Sequence, residues 1–433
     1  MILTTNREAR ANYRWLICAL LFFATTINYL DRQILSLLKE ILDREIGWTN
    51  EQFGWVNSAF QLAYAVGLLG FGWLIDRFGT KAGYAISIAA WSLAALGHGL
   101  VSSFRGFITA RICLGIGEGG NFPAAIKAVA LWFPKRERAL ATSIFNSGSN
   151  VGAIIGPAVI PWMAFRWGWQ SAFIGAGILG LVWLLFWGPL YNVPEKIKSL
   201  KQNELDYIRS DVDELGTSDR EKISWLSLLH YRQTWSFVIA KFLTDPVWWF
   251  FLIWLPDFFK KTYNLDIKKS WIHLVTIYAI ITVFSIWGGW ITGYLVKRGW
   301  TITRARKTGM LLFALCVIPV YFATNFSVWP AVLLIALAGS AHQAWSANLF
   351  TTASDMFPKQ AVGSVVGLGG MAGAVGGMLL ATSAGILLEW TGSYMTLFII
   401  SGSAYLVALL IMHLLVPKLE TTVMNFSERT SLP

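Results

Sequence analysis

Leu131-Trp132-Phe133-Pro134-Lys135-Arg136-Glu137-Arg138 closes one long apolar stretch of this chain and opens the next. Its centre, Phe133-Pro134-Lys135, recurs as Phe357-Pro358-Lys359, 224 residues later. At the same offset Val151-Gly152 is matched by Val375-Gly376, each pair in a glycine-rich apolar stretch that follows the Phe-Pro-Lys turn. A shared tripeptide, a shared element order and a shared offset together indicate two related halves.

Outward from these turns, apolar segments lie at about 15–37, 53–75, 82–103, 107–133, 139–165, 171–191, 235–259, 271–296, 308–324, 329–352, 364–388 and 393–416. About 20 apolar residues cross a bilayer as a helix, whereas barrel strands are shorter and alternate in polarity. Of the 433 residues 55% are hydrophobic and 14% charged. A soluble domain carries roughly 25% charge, so this composition excludes one of that length, and disorder with it. Twenty-three Trp and 39 Gly suit interfacial anchoring and close helix approach. The expected fold class is all-α, a polytopic membrane protein with twelve transmembrane helices in two pseudo-symmetric six-helix bundles. Residues 1–191 are the expected N-terminal bundle, 192–234 a cytoplasmic linker, and 235–433 the C-terminal bundle with a short tail. The first segment follows Arg7, Arg10 and Arg14 but has no A-x-A cleavage site, so it reads as a retained helix.

The 35 Lys and Arg sort into 23 on the side of the termini, 8 on the other and 4 inside segments. The positive-inside rule then puts both termini in the cytoplasm; the expected location is the cell inner membrane. The net charge of +11 is thus an orientation signal, with membrane lipid as a partner, and does not indicate nucleic acid. The linker mixes 7 basic with 8 acidic residues, as a solvated segment does. Cys18, Cys113 and Cys316 form no CxxC, and five scattered His form no HExxH. No disulfide framework, metal, cofactor or enzyme is expected.

Function is sought in the charges within the membrane, since each costs about 2.5–3.5 kcal/mol to insert and calls for a partner or a role. Segment 1 holds Tyr29, Asp31 and Arg32; segment 4 holds Arg111 and Glu118, seven apart and on one helix face. An arginine fork matches a carboxylate and stays protonated, so Arg32 is assigned to an anionic substrate. A carboxyl whose burial and ion pairing change as the site alternates can load and release a proton, which suits Asp31 and Glu118, with Arg111 as the partner of Asp31. Static ion pairing between helices is the competing explanation. Gly115-x-Gly117-x-x-Gly120 matches a dinucleotide fingerprint but has no preceding strand, so its glycines are expected to thin the helix. In segment 7, Lys241 and Asp245 are four apart and expected to pair, Pro246 and Pro256 mark a possible gate, and Trp249 can stack on a sugar ring. In segment 10, His342, Gln343 and Asn348 read as hydroxyl contacts or as packing bonds between helices.

Gly72-x-x-x-Asp76-Arg77-x-Gly79-x-Lys81 fits a tight turn between segments 2 and 3. Together with Tyr29-Leu30-Asp31-Arg32, Gly115-x-Gly117-Glu118-x-x-x-Phe122-Pro123 and Ser147-Gly148-x-x-x-Gly152, it resembles the anion:cation symporter branch of the major facilitator superfamily. Phe242-Leu243-x-Asp245-Pro246 and Ala341-His342-Gln343-Ala344 resemble bacterial hexuronate transporters and, more loosely, aldonate carriers. Ser149 and Gly370 stand where aldonate carriers would show Gln and a nearby Asn. The resemblance implies uptake of a small anionic sugar acid with protons. It also implies that Arg32, Tyr29 and Tyr64 hold the substrate, Asp31 and Glu118 take protons, and Arg111 pairs with Asp31. Gly72, Asp76, Arg77 and Asp245 are expected to serve gating and structure. A monomer importing a hexuronate is the expectation; a carrier of another organic anion and a non-transporting sensor are the alternatives.

Overall fold

A computed structural model describes residues 12–210, 225–357 and 359–420. Pro358 and the side chains of Asp76, Lys135 and Lys297 fall outside the described set. Among the described residues there are helices and no strand. The first half comprises α1 (Tyr13–Leu37), α2 (Lys39–Ile46), α3 (Asn50–His98), α4 (Phe104–Glu118), α5 (Asn121–Trp132), α6 (Lys135–Trp167) and α7 (Gln170–Leu190). Two short helices follow, α8 (Gln202–Arg209) and α9 (Trp225–Leu228). The second half comprises α10 (Arg232–Tyr263), α11 (Ile267–Lys297), α12 (Ile302–Val317), α13 (Val328–Met356), α14 (Lys359–Thr391) and α15 (Met395–Leu415).

Nine helical stretches among the described residues are long and apolar enough to cross a membrane. The other three expected spans are the second arm of α3, the α4–α5 pair and α11, which completes two six-span bundles. The arms of α3 meet at Gly79 (φ 81°, ψ 162°), a backbone conformation that a side chain would strain. Segment 4, expected as one span, is two helices. Pro123 has no N–H to offer the carbonyl of Gly119, and the flexible Gly119-Gly120 pair sits at that gap.

The repeated glycines do the same work in each half. A Cβ at Gly152 would lie 2.7 Å from the carbonyl oxygen of Thr26, so α6 rests directly on α1. Its counterpart Gly376 brings α14 onto α10 at Phe242 and Pro246. The halves meet at the end remote from the termini, here the distal end. There Gly54 of α3 faces the backbone of Ala381 on α14, and Ser58 Oγ donates to the carbonyl of Met378 at 2.8 Å. Among the described residues, the hydrogen bonds and ion pairs that join the two halves lie toward this end. Lys39 Nζ, for one, is 3.1 Å from Asp257 of α10.

Candidate functional site

In the last two turns of α1, Arg32 Nε donates to Glu118 Oε2 of α4 at 2.6 Å, and both side chains are buried. The Arg32 guanidinium carbon lies 4.5 Å from the ring centre of Tyr64, 4.9 Å from Tyr29, 5.2 Å from Trp249 and 5.5 Å from Phe60. Three of these rings belong to the first half. Trp249, on α10, belongs to the second, so the aromatic box closes only where the bundles meet. Ring faces attract a guanidinium and help offset its lost hydration.

Arg111 is also 5.5 Å from the Phe60 ring, on the same helix as Glu118. Phe60 therefore contacts both guanidinium groups. Asp31 lies within electrostatic reach of Glu118, Arg111 and Arg32. Two cations and two carboxylates balance, yet bonding among them is incomplete. Among the described residues no hydrogen bond reaches either oxygen of Asp31, Oε1 of Glu118, Nη2 of Arg32, or Nε and Nη2 of Arg111. The pairing expected between Arg111 and Asp31 is not made in this conformation; the ion pair joins Arg32 to Glu118 instead. Spacing along two helices sets depth, but their relative rotation decides which charges meet.

The glycines of α4 bring Glu118 to this place. A Cβ at Gly117 would lie 2.6 Å from the backbone nitrogen of Trp91, and one at Gly119 would collide with the backbone of Gly67. Gly115 abuts the backbone of Phe60 and Tyr64. The Gly-x-Gly-x-x-Gly run is thus a packing wedge against both arms of α3, with the Ser87 hydroxyl donating to the Gly117 carbonyl at 2.7 Å.

In the second half Lys241 and Asp245 pair at 2.6 Å, as their spacing predicted. Asp245 lies within electrostatic reach of Tyr29 and Tyr405. His342 is buried, with Nδ1 2.7 Å from the Tyr405 hydroxyl and its ring stacked on Trp248 at 5.6 Å. Gln343, beside it, is half-buried. Asn348 stands elsewhere: its Oδ1 accepts from Thr292 Oγ1 at 2.6 Å and from Arg306 at 3.5 Å, which ties α11, α12 and α13 together. At the α3 turn Arg77 is exposed over Trp73, and Gly72 has open space around it. Lys127 donates to the carbonyl of Ile75 at 3.2 Å and so fastens α5 to the first arm of α3.

Phe60 was missed by sequence reasoning, since a phenylalanine in an apolar span carries no signal. The buried amides Asn28, Gln33 and Gln61 were also missed, although amides in spans were a usable one.

Two bundles sharing a buried charged site at their interface define the architecture of a membrane transporter. The chain belongs to the Major Facilitator Superfamily, whose sequence profile matches residues 21–381. It is 31% identical over 386 residues to the hexuronate transporter of Escherichia coli strain K12, which covers 88% of each chain. It is 30% identical over 425 residues to the probable galactarate/D-glucarate transporter GudP of the same organism, over 93% of each chain. In shape it is similar to the crystal structure of a D-xylose-proton symporter, with a TM-score of 0.74 at 16% identity, over 95% of this chain and 100% of that one. The family and these relatives are transporters, not enzymes.

Proposed function

We propose that this chain imports a hexuronate, or a closely related sugar acid, together with protons, by alternating access across the cell inner membrane with both termini in the cytoplasm. The observation that carries this reading is Arg32: a permanent cation buried between the bundles, boxed by four rings and held by one carboxylate. The hexuronate and aldarate carriers among its relatives supply the substrate class.

With cytoplasmic termini the distal seal faces outward, and this conformation is closed on that side. Protonation of Glu118 removes the charge that holds Arg32 Nε. The fork then turns to the substrate carboxylate, which it binds through two parallel hydrogen bonds. Asp31, one residue earlier, is the second proton site, with Arg111 as the charge that stabilises it once deprotonated. Tyr29 and Tyr64 flank the carboxylate, and Trp249 offers its face to the sugar ring. His342 and Gln343 belong to the wall of the second half. Substrate and protons together bring little net charge, so residues 1–191 can rock against 235–433 about the 192–234 linker at low electrostatic cost.

Uptake of labelled D-glucuronate and D-galacturonate into proteoliposomes, with competition by a panel of uronates, aldarates, aldonates and aromatic acids, tests this reading. Uronates compete best, and Arg32→Ala abolishes uptake. Uptake retained by Arg32→Ala ends the anchoring role, and an aldonate or aromatic acid as the best competitor ends the hexuronate reading.

A further inference from the structure

We propose that the Lys241–Asp245 pair reads the hydroxyls of the bound sugar acid farthest from its carboxylate, and so sets selectivity among sugar acids. This inference rests on the sugar-acid reading above.

Lys241, Asp245 and Trp249 follow one another at four-residue intervals and therefore share one face of α10. Trp249 of this face touches the box around Arg32, at 5.2 Å. Four residues of helix rise about 6 Å, so Asp245 stands about 6 Å from Trp249 along the axis, and Lys241 about as far again. A pyranuronate is of matching length. From its carboxylate across the ring to the C2 hydroxyl is about 6 Å, given carbon–carbon bonds near 1.5 Å. An acid anchored on Arg32 with its ring over Trp249 therefore presents its C2 hydroxyl at the level of Asp245.

Asp245 is the member nearer the other bundle, while Lys241 Nζ lies over the Phe350 ring of its own bundle at 4.4 Å. Asp245 is within electrostatic reach of Tyr29, whose ring is 4.9 Å from the Arg32 guanidinium carbon. The acceptor is also the accessible member: the Asp245 side chain is 18% exposed and that of Lys241 6%. Gly373 of α14 gives the carboxylate its seat, since a Cβ there would lie 3.0 Å from the Asp245 Cβ. A hydroxyl donates one hydrogen bond and accepts others. An ammonium beside a carboxylate serves both roles and adds no net charge to the anion site. The alternative is a brace: Pro246 leaves the Phe242 carbonyl without its helical N–H, and an adjacent ion pair stiffens that point.

Competition for labelled uronate uptake by D-glucuronate and D-mannuronate, which differ only at C2, separates the two. The wild type distinguishes these epimers. Asp245→Asn and Lys241→Gln weaken the preferred one by about tenfold or more, the size expected when a buried hydroxyl loses one hydrogen-bond partner. They bring the two epimers within about twofold of each other. The reversed pair, Lys241→Asp with Asp245→Lys, keeps the brace but moves donor and acceptor by one turn, and it does not restore discrimination. Should the single variants fail to fold, Asp245→Glu keeps charge and pairing while shifting the carboxylate, and it changes the epimer ratio. A wild type blind to C2, an unchanged ratio in Asp245→Glu, or wild-type discrimination in the reversed pair each overturns the inference while leaving uronate transport standing. A wild type that carries no uronate overturns both.

Discussion

The distal seal and the central site are both built from buried charge at the boundary between the two halves, yet they are bonded in opposite ways. At the seal Lys39 Nζ contacts Asp43 at 2.6 Å, Asn50 at 3.0 Å and Asp257 at 3.1 Å. Asp257 is held further by Lys261 at 3.3 Å and by the hydroxyl of Tyr394. Asn50 accepts from Lys261 and donates to Glu389. Lys39, Asp43, Asp257 and Lys261 each have more than one partner there. In the centre, one ion pair serves four charged groups, and Asp31 accepts no hydrogen bond from a described residue. A fully bonded buried network rigidifies, whereas a partly bonded one carries a desolvation penalty that another group can relieve. The seal is thus suited to hold one conformation, and the centre to exchange partners.

The largest effect should come from removing charge where bonding is incomplete. Glu118→Gln and Asp31→Asn are expected to lose gradient-driven accumulation by roughly a hundredfold to a thousandfold or more, the scale of a buried charge pair worth about 3–5 kcal/mol when one member is removed. Counterflow, which needs binding and rocking but no net proton movement, is retained in Glu118→Gln. Proteoliposome uptake with and without an imposed pH gradient measures both. Accumulation that persists in Glu118→Gln would show that the centre, like the seal, is only structural.

Much of this contrast was legible in the sequence, and the part that was not has a geometric cause. The two halves could be read from Phe133-Pro134-Lys135 and its copy, because a repeat records topology directly. The turn at Gly79 and the Lys241–Asp245 pair were legible because both are local. Spacing placed Arg32, Asp31, Arg111 and Glu118 in the membrane, but it could not say that Arg32 rather than Arg111 holds a carboxylate. That depends on the rotation of α1 against α4. Asn348 illustrates the same limit: its partners Thr292 and Arg306 lie 56 and 42 residues away. The seal was hidden altogether. Lys39 follows the first apolar segment, 15–37, and nothing along the chain linked it to Asp257, 218 residues on.

A second effect separates burial from mere charge within the seal. Lys39→Met leaves Asp43 and Asp257 without their shared cation, and should destabilise this conformation by about 3–5 kcal/mol. The double variant Lys39→Met with Asp257→Met, in which no ion of that pair is stranded, should recover part of the loss. Thermal unfolding in detergent reads the stability. Crosslinking of cysteines placed at Ser58 and Thr382, whose hydroxyls lie 2.6 Å apart, reads whether the seal is closed. Crosslinking as complete in Lys39→Met as in the parent would deny the network its role in closing this end.

The smallest effect is expected a few ångströms away. Glu40 and Lys260 also bridge the halves, at 2.9 Å, but their side chains are 20% and 32% exposed. Water screens such a pair, so Lys260→Met should cost about 0–1 kcal/mol, and that cost should shrink with added salt. Glu40 keeps Arg44 as a partner at 2.7 Å, which softens the loss further. Lys39 and Lys260 thus cross the same boundary with the same chemistry and differ chiefly in burial and in the number of partners. If the two lysine variants proved equally costly, burial could not be what distinguishes a latch from a surface contact. The contrast between seal and centre would then rest on partner exchange alone.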